Sequence, residues 1–558
     1  MIAMSLARIA EIVGGRLADV SDEDAARTVV TGTVEFDSRA VTPGGLFLAL
    51  PGARSDGHDF AATAVAAGAV GVLAARPVGV PAVVVDPVRP DSAAPGTAGV
   101  LEHDVDGSGA AVLAALARLA SAVAAELVAG GLTIIGITGS SGKTSTKDLI
   151  AAVLAPLGEV VAPPGSFNNE LGHPWTVLRA TRSTDYLVLE MSARHPGNIA
   201  ALARIAVPSV AVVLNVGTAH LGEFGSREVI AATKSELPQA VPESGVVILN
   251  ADDPAVAAMA DKTAARVVRV GRGAEALDVR ADGVSLDALA RPSFTLHTGS
   301  ADVPVTLAVH GDHQVSNALC AAAVALECGA TPEQVAAALA TAGPVSRHRM
   351  QVTAREDGVT VINDAYNANP DSMRAGLKAL AWMSRGGASK GRSWAVLGEM
   401  AELGDDAITE HDRIGRLAVR LDVSRLIVVG SGRPMSAMLH GAVMEGSFGS
   451  EAIPVADTDA ALEILRAELR PGDVVLVKAS NSAGLGALAD ALVSDVARDG
   501  VSDVARDGVS DVARDGVSDV ARDGVSDVAR DGVSDVARDG VSDVARDGVS
   551  DVARDGDR

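Results

Sequence analysis

A short apolar run, Leu132-Thr133-Ile134-Ile135, leads directly into GITGSSGKTST at Gly136–Thr146. A buried strand that turns through small residues into Lys-Thr at the head of a helix is the layout of a phosphate-binding loop, and it requires an α/β sheet to hold it. Glycines let backbone N–H groups close on phosphate oxygens, and the helix N-terminus adds partial positive charge. Lys143 is placed to reach the terminal phosphates, and the Thr144 hydroxyl to hold Mg²⁺. Gly139, Ser140, Ser141, Gly142, Lys143, Thr144 and Ser145 are therefore the expected triphosphate contacts. One position departs from the common pattern: Ile137 stands where a glycine is usual, and the glycines fall at Gly136 and Gly139.

The 558 residues suffice for three or four domains. Aromatics are only 2%, so the cores must be built from Ala, Val and Leu. A formal charge of −24 argues against a nucleic-acid or anionic-membrane binder, while leaving room for a local cationic pocket. Two cysteines, Cys320 and Cys328, form no disulfide framework, which points to the reducing cytoplasm. The N-terminus reads as an amphipathic helix, and the longest apolar stretch, Ala111 to Val128, is broken by Arg118 and Glu126. Neither a signal peptide nor a membrane span is expected. Lysine is scarce, with seven against forty arginines, so Lys143, Lys234 and Lys478 are candidates for work that Arg does not do.

Apolar β-type runs alternate with helical patterns, as in a doubly wound α/β protein. The expected domains are 1–105, 106–342 with the phosphate loop on a parallel sheet, and 343–492 with a Rossmann-like pattern. Strands are expected at Gly45–Leu50, Ala82–Asp86, Tyr186–Glu190, Val210–Asn215, Val246–Asn250, Val359–Asn363, Trp394–Leu397, Arg425–Val429 and Val474–Lys478, with a helix at His313–Cys328. From Val493 to Gly556 the octad VSDVARDG repeats eight times without variation and carries −8 of the charge. With two Val per repeat and no aromatic it has little to bury, so 493–558 is expected to be a disordered, dispensable tail.

Several side chains are suited to complete a nucleotide site. Glu190 ends the strand DYLVLE, at the carboxyl edge where Mg²⁺ is commonly held. His220 follows the strand in VAVVLNVGTAH, and Lys234 lies in the helical SREVIAATKSEL. Asn363–Pro370, NDAYNANP, crowds polar residues after the strand GVTVI, where they serve either a ligand or a helix cap.

These motifs, in this order, resemble the Mur ligases, the ATP-dependent amide-forming enzymes of peptidoglycan synthesis. The loop TGSSGKTS looks like the family's variant phosphate loop. FNNELGHP, LEMSARHPGNIA, NVGTAHLGEFGS, GDHQVSNALCAAA, NDAYNANPDSM, VLGEMAELG and the early FDSRAVTPGGLFLALPGARSDGHDF look like its other segments. The resemblance covers about residues 1–492 and is greatest to the member that joins D-alanyl-D-alanine to UDP-N-acetylmuramoyl-tripeptide through an acyl phosphate.

By that resemblance, Lys143, Glu190, His220 and Lys234 are catalytic. Thr144 and Glu190 hold one Mg²⁺, His220 supports a second, and Lys234 stands where the family carries a carbamylated lysine. Asn317 contacts adenine, and Arg349 and Asp364 contact ribose and phosphates. Ser38 and Arg39 face the uridine end, while Asn168, Asn169, Tyr366, Asn367 and Asn369 contact substrate. A cytoplasmic monomer is implied. Two alternatives remain open: the ligase that adds the third amino acid, whose Asp-Asn-Pro-Arg motif is absent here, and a non-catalytic nucleotide-binding regulator.

Overall fold

The computed structural model describes residues 1–52, 55–87, 101, 104–217, 221–273, 277–386, 391–447 and 451–494. The octads beyond Ser494 and His220 lie outside the described residues. Three α/β domains follow one another along the chain, each built on its own sheet.

The phosphate-loop strand is Thr133–Thr138. Ile134, Ile135 and Ile137 are each at most 1% exposed, as befits a strand covered on both faces. It lies inside a nine-stranded sheet, between Val210–Val213 on one side and Tyr186–Glu190 on the other, with parallel pairing to both. The next strand in sequence, Val160–Val161, closes that side beyond Tyr186–Glu190, so the strand order reverses at the phosphate-loop strand. The crevice beyond its carboxyl end is thus a topological switch point, where open α/β sheets bind ligands. Ile137 pairs in register with both Glu190 and Val212. It is still sheet interior, so the turn begins only at Gly139 and needs no glycine at 137.

Parallel pairing continues through Val246–Asn250, Arg266–Arg272 and Val279–Leu286. The sheet then turns antiparallel, with Pro292–His297 and Asp302–Thr306 as its last strands. That antiparallel end departs from the expected helix-strand alternation.

The third domain carries six strands, in the order Gln351–Ala354, Thr360–Asn363, Val474–Lys478, Ser393–Leu397, Arg425–Val429, Ala452–Val455. All pairings there are parallel except the first. Trp394 is its largest fully buried side chain. The N-terminal sheet orders Arg16–Ala18, Ala82–Val84, Ala69–Ala74, Gly45–Leu48 and Val34–Glu35, the first antiparallel. The expected strands at Gly45–Leu50 and Ala82–Asp86 are each two residues shorter in the structure.

Among the described residues one helix, Ser108–Ala129, is long and apolar enough to cross a bilayer. Here it packs against the helices Leu6–Val13, Gly172–Val177 and Asn198–Ile205, and its leucines join the common core of the first two domains. Asp104 begins it by accepting the N–H groups of Gly109 and Ala110, both at 2.8 Å.

Candidate active site

The phosphate-loop helix, Lys143–Leu154, starts without a side-chain cap and without an acidic residue in its first turn. Both features leave its N-terminal N–H groups and dipole to an external anion. Gly142 enters it at φ +84°, and a Cβ there would stand 2.7 Å from Asn317 Oδ1. Glycine therefore meets two demands at once, a left-handed backbone and close approach of the helix Gln314–Glu327. Asn215 braces the loop from the neighbouring strand's end: its Oδ1 accepts the N–H groups of Ser140 and Ser141 at 3.0 and 2.9 Å, and its Nδ2 donates to Ser141 O at 3.1 Å.

Glu190 lies across the loop. Its Oε2 accepts from Thr144 Oγ1 at 3.3 Å and from Asn168 Nδ2 at 3.2 Å, while Oε1 is buried without a partner. Burial holds this carboxyl above its ordinary range, against the pull of Lys147, Lys143 and Arg349. A buried carboxylate oxygen left unpaired beside a hydroxyl is suited to a hard cation, completed by phosphate oxygens. Thr144 and Glu190 thus fit Mg²⁺. Among the described residues no cluster of three or more His, Cys, Asp or Glu side chains is arranged for a metal. Lys143 folds back to Gly139 O at 2.8 Å, and burial lowers its ammonium pKa. Lys234 is buried, and burial together with the charge of Lys143 holds it well below the ordinary lysine range.

The third domain closes the crevice. Arg349 donates to Ser166 Oγ at 2.9 Å and to Thr144 Oγ1 at 3.3 Å, with its guanidinium 4.3 Å from the centre of the Tyr366 ring. Asp364 accepts the Met350 N–H at 3.0 Å and pairs with Lys478 at 2.6 Å. Burial lowers the Lys478 ammonium pKa, opposed by Asp364. Asn369 caps the helix Pro370–Gly386 by accepting Ser372 N–H at 2.9 Å, and its amide stands 3.5 Å from Ser140 O. Arg194 pairs with Glu402 at 2.8 Å across the same boundary.

Most of these groups line a cavity of about 920 Å³, while Lys234 is buried and does not line it. Ser140, Ser141, Gly142, Lys143, Thr144, Ser145, Asn168, Asn169, Asn317, Arg349, Asp364, Tyr366, Asn367 and Asn369 all reach it. Glu190 joins through Thr144 and Asn168. Ser38 and Arg39 do not line it: Arg39 sits in the N-terminal domain, exposed, and pairs with Asp37. Sequence reasoning did not single out Asn215, although a polar residue ending VAVVLN was the available signal. Ser166 and Lys147 were also missed, and their roles come only from segments meeting in space.

A phosphate loop at a switch point, with a second α/β domain closed over it, defines a three-domain enzyme that uses a nucleoside triphosphate. Three family descriptions match the chain: the Mur ligase family catalytic domain at residues 32–121, the Mur ligase middle domain at 137–325, and the Mur ligase glutamate ligase domain at 348–481. The UDP-N-acetylmuramoyl-tripeptide--D-alanyl-D-alanine ligase of Mycobacterium tuberculosis is 77% identical over 507 residues, covering 89% of this chain and 98% of that protein. The crystal structure of MurF from Acinetobacter baumannii superposes with a TM-score of 0.72 at 28% identity, covering 88% of this chain and 99% of the other. MurF ligase from Thermotoga maritima in complex with ADP gives 0.66 at 27% identity, covering 84% and 99%. The chain belongs to the Mur ligase family.

Proposed function

We propose that this enzyme joins D-alanyl-D-alanine to UDP-N-acetylmuramoyl-tripeptide at the expense of ATP, forming ADP and phosphate, in peptidoglycan precursor synthesis. The 77% identical relative, a UDP-N-acetylmuramoyl-tripeptide--D-alanyl-D-alanine ligase, supports this reading. The observation that carries it is the convergence of Lys143, Thr144, Glu190 and Arg349 in one closed cleft.

The terminal carboxylate of the tripeptide attacks the γ-phosphorus in line, ADP leaves, and an acyl phosphate results. The amine of D-alanyl-D-alanine then attacks the acyl carbon, loses a proton, and expels phosphate. Lys143 turns from Gly139 O to the β,γ-phosphates and offsets the charge that develops there. Arg349 contributes a second cation from the opposite wall. Closure of the third domain excludes water from the acyl phosphate. Thr144 and Glu190 would hold Mg²⁺, which would supply charge neutralisation on the phosphate oxygens. Lys234, whose amine burial keeps toward its neutral form, would react with CO₂ to a carbamate and, with His220, would hold a second cation.

Asn317 faces adenine, and Asp364 the ribose. Asn168, Asn169, Tyr366, Asn367 and Asn369 surround the acceptor and the dipeptide. Ser38 and Arg39 hold the uridine end from the 1–105 domain, with 106–342 and 343–492 as the other two. The enzyme acts as a cytoplasmic monomer. Phosphate release that requires ATP, Mg²⁺ and UDP-N-acetylmuramoyl-tripeptide together tests the proposal, and release from ATP alone at the same rate contradicts it.

A further inference from the structure

Four residues beside the cleft form a closed hydrogen-bonded circuit. Lys147 Nζ donates to Gly165 O at 3.3 Å, and Gly165 N–H donates to Ser346 Oγ at 3.0 Å. Ser346 N–H donates to Asp148 Oδ2 at 3.0 Å, and Asp148 Oδ1 lies 2.9 Å from Lys147 Nζ, which closes the ring. Lys147 also donates to Pro163 O at 2.5 Å. Lys147, Asp148 and Ser346 are all buried.

The circuit joins three segments far apart in sequence. Lys147 and Asp148 belong to the phosphate-loop helix, Gly165 to the loop before FNNELGHP, and Ser346 to the crossover from the helix Pro332–Thr341 into the third domain. A buried ion pair is weak evidence for stability, because desolvation opposes the attraction. Its value lies in fixing one arrangement, and here the fixed arrangement ends on the cleft. Ser166, next to Gly165, meets Thr144 Oγ1 at 2.8 Å and accepts from Arg349. Arg349 lies three residues beyond Ser346, between His348 at φ +59° and Met350 at φ +49°. Left-handed backbone at two non-glycine residues around one arginine is not a local preference, so contacts elsewhere must hold it.

We propose that Lys147, Asp148 and Ser346 are positioning residues that set Arg349 and Ser166 against Thr144, so that docking of the third domain completes the γ-phosphate end of the site. The inference rests on the nucleotide-site reading above. The three residues touch no reacting atom, and they act through Arg349 and Ser166. On this proposal Arg349, held beside Thr144, meets the γ-phosphate that ADP lacks, so loss of the circuit lowers turnover while leaving ADP affinity in place.

The experiment compares Ser346→Ala, Lys147→Met, their double variant and Ser346→Thr in the full chain. Turnover is read by phosphate release, and ADP affinity by calorimetry without other substrates. Each single variant is expected to lose about tenfold or more in kcat, with the ADP Kd changed by about twofold or less. The double variant should fall no further than the worse single, since both open the same circuit. Ser346→Thr, which keeps the hydroxyl, should retain most of the turnover. If Lys147→Met does not fold, Asp148→Asn takes its place in the cycle, because it leaves the Ser346 acceptor and removes the charge facing Lys147. Unchanged kcat, multiplying losses in the double variant, or an ADP Kd rising in step with the loss of kcat each overturn the proposal. A parent enzyme that binds no ADP overturns the nucleotide-site reading as well, whereas ADP binding by the parent beside variants of unchanged kcat overturns this proposal alone.

Discussion

Replacing Lys143 with Ala is the sharpest perturbation of the cleft. In the structure the side chain is half-buried at the cleft, its ammonium rests 2.8 Å from Gly139 O, and burial lowers its pKa. Part of its desolvation is thus already met in the folded chain, and turning to a phosphate oxygen adds little. A unit charge about 3 Å from a phosphate oxygen, at an effective dielectric of about 20, is worth about 5 kcal/mol of Coulomb energy. Removing one donor aimed at developing charge typically costs about 3–4 kcal/mol in the transition state. Lys143→Ala is therefore expected to lower kcat about 10³-fold. The side chain opens on a cavity rather than a packed core, so melting should shift by only a few degrees. The assay is single-turnover phosphate release at saturating substrates, with a melting curve on the same sample. Turnover within about tenfold of the parent, in a variant that melts normally, refutes the reasoning, since the charge of Lys143 would then not be acting on the transferring phosphate.

Other consequences follow from the same geometry. Asn215→Ala removes the acceptor shared by the Ser140 and Ser141 N–H groups and should raise the ADP Kd about tenfold, read by calorimetry. Glu190→Gln removes the charge beside Thr144 and should raise the Mg²⁺ concentration for half-maximal activity at least about tenfold, while EDTA abolishes turnover of the parent. His173 is fully buried, and burial depresses its pKa from 6.5 to about 4. The unfolded chain therefore takes up this proton first as pH falls, and stability is lost between about 6.5 and 4. The full effect is on the order of 3 kcal/mol, and His173→Gln should show a correspondingly shallower fall in urea midpoint across that window.

Much of the scaffold was legible because its strands are unbroken apolar runs. Tyr186–Glu190, Val246–Asn250, Arg425–Val429 and Val474–Lys478 have the limits expected from the sequence. The antiparallel end of the central sheet was not legible. Val279–Leu286 carries polar residues on one face and a register shift between Asp282 and Ser285, so it shows no continuous apolar run. Within the cleft, residues on motifs were readable, because loop chemistry is local. Asn215, Ser166 and Lys147 were not, because their partners lie 74, 22 and 18 residues away and the contacts arise only on folding.

The activity itself is tested most directly by amine specificity. Enzyme, ATP, Mg²⁺ and UDP-N-acetylmuramoyl-tripeptide are mixed with D-alanyl-D-alanine, with single amino acids or with no amine, and phosphate and amide product are measured together. The account predicts amide product and matching phosphate with D-alanyl-D-alanine alone. Phosphate release indifferent to the amine, or amide formed with a single amino acid instead, contradicts it.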